Sequence, residues 1–227
     1  MRFLLISSLL LFISSCTNRQ KDFETASAFA GKVWGMKPAK IELIEQDDQH
    51  TSGEIQVTIL DLSLAKGEQK AEDLASIAAM AFVQNVDPAK CVGFEKISIH
   101  FDWNGKAHHS DYTISEVRDA TNLAVSVSEF LSTPYDKGID GLKMFVDGNM
   151  MPDSVLLQYR SGMLQSDSLY GITSMSNVTG MRMTEVKDTG EPVVVFNSVS
   201  HKEGGDLPLS FYVSRKSGKI VSIGPGL

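Results

Sequence analysis

The sequence predicts an α+β fold in which antiparallel sheets pack with helices in two small units. Three observations predict it. Stretches such as Ile97-Ser98-Ile99-His100-Phe101 alternate apolar with polar residues, the period of half-buried strands. Leu74, Ile77, Ala78, Ala81 and Phe82 fall three and four apart, the period of a helix. A glycine- and aspartate-rich run over residues 135–151 then separates a segment reading α-ββ-α-ββ-α, residues 25–134, from one reading α-ββββ, residues 152–227.

The first fifteen residues are read as an export signal and excluded from the fold. Arg2 is followed by an apolar run from Phe3 to Ile13, about ten residues, half of the roughly 20 that a membrane-spanning helix needs. The run closes on Ile13-Ser14-Ser15-Cys16. That ending resembles the lipobox of bacterial lipoproteins. The resemblance implies cleavage after residue 15, a lipidated Cys16 as the first mature residue, and attachment to the cell envelope. Thr17 is not the aspartate that marks inner-membrane retention in many Gram-negative bacteria, so the resemblance favours the outer membrane. Residues 16–24 form a polar tether that reaches only about 25–30 Å when fully extended.

The elements follow in order. Phe23, Ala26, Phe29, Ala30 and Val33 suit a short helix stopped by Gly35 and Pro38. Ile41 and Leu43, then Ile55, Val57 and Ile59, alternate on either side of a turn-rich stretch, which predicts two antiparallel strands over 40–62. Residues 70–85 read as a helix with Glu72 and Asp73 in the first turn, where the helix dipole favours anions. Residues 94–114 read as a hairpin about Asn104-Gly105, the strongest short hairpin signal. A helix from Ser115, as N-cap, then runs to the stop at Thr133-Pro134. Two similar ββα passes hint at a duplication.

Beyond the linker, Pro152-Asp153 opens a helix expected to end near Gly162. Strands are expected at 172–186, 193–200, 209–215 and 219–223. Their order, with a closing hairpin over Phe211 to Ile220, resembles in topology the NTF2-like, cystatin-like and PepSY-like α+β domains. Such folds host unrelated functions, so the likeness carries no site residue with it.

Composition narrows the function classes. The chain has a formal net charge of −7, and Arg2 is the only charge ahead of Cys16, so the mature form is more acidic still. A surface of that sign repels nucleic acid and anionic lipid head groups. The two cysteines are Cys16 and Cys91. With Cys16 lipidated, Cys91 is read as a buried, apolar thiol beside Val92 and Phe94.

Catalytic signatures are missing: the chain has no G-x-S-x-G, H-E-x-x-H, phosphate-cradling glycine loop or C-x-x-C. One constellation could carry chemistry. A two-residue turn at Asn104-Gly105 sets His100 opposite His109, with Asp102 and Asp111 on the same face, and facing Cβ atoms there lie about 4.5–5.5 Å apart. Two imidazoles and two carboxylates could hold a divalent ion, although alternation alone also places polar residues at these positions. Seven of the ten methionines fall between Met144 and Met183, as core filling or as an adaptable binding surface.

The expectation is therefore a lipid-anchored envelope protein that binds or scaffolds, without catalysis and without a cofactor. It would meet the membrane through Cys16 and an envelope protein as partner. A metal-dependent hydrolase at His100, His109, Asp102 and Asp111 is one alternative, and a toxin-immunity lipoprotein is another.

Overall fold

The computed structural model describes Lys21, Glu24 and residues 37–44, 52–61, 70–187 and 189–226. The expected leader, Cys16, the tether apart from Lys21 and Glu24, and the helix expected near residues 25–33 lie outside the described residues. The fold is α+β, with two four-stranded sheets, and the chain divides into two compact units between Arg118 and Asp119.

The first unit holds strands β1 (Lys37–Ile44) and β2 (Gly53–Asp61), helix α1 (Ala71–Asn85), a 3-10 turn (Pro88–Cys91), and strands β3 (Phe94–Trp103) and β4 (Lys106–Thr113). The strands lie in the order β1-β2-β3-β4, so both predicted hairpins join one sheet. β1 with β2 and β3 with β4 are antiparallel, as expected. β2 and β3 are parallel, because α1 intervenes between them and a helical crossover returns the chain in the same direction. Gly53 is required at the head of β2. A Cβ there would stand 2.1 Å from the Gly93 carbonyl oxygen.

Register sorts the faces of this sheet. Ile55 pairs with Ile97, Val57 with Ile99 and Ile59 with Phe101, and all six are buried. α1 packs against β3 and β4. Every residue from Leu74 to Val83 is buried, so α1 is an interior helix rather than the one-sided helix that the apolar spacing suggests. Cys91 is buried, as expected.

Helix α2 (Ile114–Ser132) runs across the division between the units. Its N-cap is Thr113, not Ser115. Thr113 Oγ1 accepts from the Glu116 amide at 3.2 Å and donates to the Glu116 carboxylate at 2.7 Å. Thr113 thus caps the helix with its hydroxyl both bonded to the Glu116 amide and linked to the Glu116 carboxylate, the stronger of two competing caps.

The second unit continues with α3 (Asp140–Lys143), α4 (Asp153–Tyr170) and the meander β5 (Met175–Val186), β6 (Glu191–Lys202), β7 (Gly205–Ser214) and β8 (Ile220–Pro225). α4 passes through Gly162 and ends at Gly171, whose φ is +86°. Glycine inside a helix costs only about 1 kcal/mol, and packing of Leu156, Met163 and Ser166 outweighs it. Val193 to Phe196 of β6 are all fully buried, and Phe130 of α2 meets Phe145, Tyr159 and Phe211 edge-on or tilted. Residues 135–151, expected as a linker, bury Leu142 and Met151 in this unit and bridge Val146 to Ile220.

Candidate functional site

The β3–β4 hairpin forms in the register expected from its turn. Asn104 and Gly105 both have positive φ, 52° and 73°, the two-residue turn that matches strand twist. Trp103 then pairs with Lys106, Asp102 with Ala107 and His100 with His109. The two imidazoles stack with centroids 4.7 Å apart and planes at 21°. His108 lies on the other face, stacked on Phe101.

The parallel β2–β3 pair adds residues to this face that the hairpin alone does not. Glu54 aligns with Lys96 and Gln56 with Ser98. The Ser98 hydroxyl, fully buried, stands 2.6 Å from Glu54 Oε1 and 2.6 Å from Asp111 Oδ1. It has one hydrogen and so donates to one carboxylate at a time. Lys96 Nζ lies 2.7 Å from Asp111 Oδ2 and 3.5 Å from Glu54 Oε2, and His109 Nε2 lies 2.7 Å from Asp111 Oδ1. Burial works to raise both carboxyls, but the bonds from Ser98 and Lys96, with Gln56 at Glu54 and His109 at Asp111, outweigh it and hold both below the usual range. The hydrogen bond to Asp111 leads in raising Lys96.

Asp102 takes part in none of these bonds. His100, His109, Asp102 and Asp111 are not brought together as a ligand set, and among the described residues no three His, Cys, Asp or Glu side chains are grouped to hold a metal ion. The Lys96 ammonium stands against Asp111 and Glu54, where a bound cation would have to stand.

The second unit has a cavity of about 570 Å³ between the end of α2, α4 and the head of β5. That volume falls within the usual range for small-molecule sites, about 300–1,000 Å³. Tyr135, Tyr159, Met163, Ile172 and Met175 supply its apolar wall, and Thr173, Ser174 and Ser176 its hydroxyls. Two of the clustered methionines thus face it, while Met151 and Met181 fill the core.

Asp167 and the exposed Asp136 are the carboxylates of the cavity wall, and both oxygens of Asp167 are engaged. Oδ1 accepts from the Lys202 ammonium, whose side chain is 0% exposed. Oδ2 accepts from the Tyr135 hydroxyl at 2.6 Å. Burial opposes the charge on Asp167, yet the bonds from Lys202 and Tyr135 hold its carboxyl below the ordinary value. Burial, then the bond to Asp167, push the Tyr135 hydroxyl up. Burial likewise raises Tyr159. Arg160 fastens the same loop by donating to the Tyr135 and Asp136 carbonyls at 2.8 and 3.0 Å.

Compared with known proteins, the chain matches no protein family, no curated protein and no solved structure. Function is therefore argued from its own residues. Alternation signals Glu54, Lys96 and Ser98; the hairpin register sets Ser98 opposite Asp111, and the parallel pairing adds Glu54 to the same group. Asp167 and Lys202 lie past Gly162 and Ser200, where the apolar patterns fade.

Proposed function

We propose that the chain is a lipid-anchored cell-envelope protein that acts as a binding module, with the cavity of the second unit as its binding site. The observation that carries the anchor is the sequence Ile13-Ser14-Ser15-Cys16 behind its short apolar run. Among the described residues no helix is long and apolar enough to cross a membrane. The binding role is supported by the make-up of the cavity: Asp167 is paired with Lys202 and Tyr135, Asp136 on the same wall is exposed to solvent, and the remaining wall is mostly aromatic, thioether and hydroxyl groups. A site of that chemistry holds an uncharged, partly apolar group.

Feeding cells an alkyne fatty acid tests the anchor. The full chain takes up label and Cys16→Ala does not; label on Cys16→Ala ends the lipoprotein reading. Binding is tested with the form lacking residues 1–16 and the neutral probe N-phenyl-1-naphthylamine. Its fluorescence rises saturably with the protein, and Met175→Glu, at the exposed rim, weakens it at least tenfold. An unchanged titration in Met175→Glu removes the cavity from the proposal.

A further inference from the structure

The first unit holds a second cavity, about 480 Å³, between the 3-10 turn Pro88–Cys91, the head of β3 and the first turn of α2. Arg118 lies on its wall. The Nη2 of Arg118 is buried and has no hydrogen-bond partner, and no carboxylate among the described residues stands within ion-pair distance of this guanidinium. Other cations of the chain show the contrast: Lys96 reaches two carboxylates, Lys202 reaches Asp167, and Arg160 is met by two carbonyls. Arg118 as a whole is only partly buried, but a buried guanidinium nitrogen without an acceptor is costly, and native structures meet such groups with a partner from outside the chain when none is inside.

The surroundings define what that partner is. Thr113, Ile114 and Ser115 of the cavity wall begin the 19-residue helix α2, whose N-terminal dipole favours negative charge. The Ser115 hydroxyl stands 3.3 Å from Thr113 Oγ1, to which it donates because the Thr113 hydrogen goes to Glu116. Glu95 stands on the same wall, exposed, and opposes a doubly charged group more than a singly charged one. The planar fork of a guanidinium matches a carboxylate in two parallel hydrogen bonds.

We infer that this cavity is an anion site, with Arg118 as its anchor and a monovalent carboxylate as its ligand class. It lies in the other unit from the proposed binding cavity and does not depend on that reading.

The test uses the form lacking residues 1–16, with amide resonances followed by NMR at constant ionic strength. Sodium acetate is expected to shift the amides of Ser115 and Arg118 saturably, and to do so at lower concentration than inorganic phosphate. Sodium chloride is expected to leave them in place. Arg118→Met loses the acetate response, and Arg118→Lys, which keeps the charge but not the fork, weakens it about tenfold. A linear drift shared by acetate, phosphate and chloride overturns the site. So does an acetate response that survives in Arg118→Lys at full strength, which also covers the case in which Arg118→Met does not fold.

Discussion

Asp167 and Lys202 show how a single buried pair governs the second unit. The Lys202 side chain is fully enclosed, so its ammonium depends on Asp167 and on the Gly171 carbonyl at 3.4 Å. Removing one member of such a pair strands the other charge, a loss of about 3–5 kcal/mol. Asp167→Ala is therefore expected to lower the unfolding free energy of this unit by that amount, read as a lower denaturant midpoint in the near-ultraviolet dichroism of its tyrosines. The pH dependence has a definite sign. Because the folded Asp167 carboxyl is held below its ordinary value, its contribution is complete at neutral pH and drains away as pH falls below about 4. Glu54 and Asp111 shift in the same direction, so acid weakens both units. Asp167→Asn should make the fall between pH 5 and pH 2, values set by the carboxyl range of about 4, shallower in the second unit alone.

At the scale of elements, local chemistry decides what can be read from a sequence and what cannot. The hairpin at Asn104-Gly105 is legible because its turn fixes its register without help from elsewhere. Gly105 has φ +73° and open space where a Cβ would stand. Gly105→Ala thus meets no clash and carries only the left-handed backbone cost, roughly 1–2 kcal/mol. Thr113→Ala removes the acceptor of the Glu116 amide and should cost about 1 kcal/mol. Urea unfolding of the two single variants checks both, and an unchanged midpoint for Thr113→Ala would return the cap to Ser115. The parallel pairing of β2 with β3 is less legible, since it joins residues 53–59 to residues 94–101 across a helix. Without that pairing the carboxylate face reads as a hairpin with two histidines. With it, Glu54 joins the Lys96–Asp111 ion pair of the hairpin, and among the described residues no three metal-ligating side chains are grouped there. α4 illustrates the opposite error, because a glycine signal at Gly162 is overridden by burial of Met163 and Ser166 further along.

For the whole molecule, charge and anchor make a joint prediction. The chain carries a net charge of −7, which opposes contact with anionic lipid surfaces at any salt concentration. A protein held to a membrane by basic patches is released by high salt, because the attraction is screened within about 10 Å at 0.1 M. The proposed lipid on Cys16 instead contributes about 0.8 kcal/mol per buried methylene, a term that salt does not weaken. The full chain should therefore stay in the membrane fraction through a wash at about 1 M salt, where screening acts within about 3 Å, and leave it with detergent. Cys16→Ala should appear in the soluble fraction without any wash. Release of the unmodified chain by salt alone would place its attachment in a protein partner rather than in a lipid. The two units would then be the anchor themselves, and the polar tether of residues 16–24 would lose its role as the span between bilayer and fold.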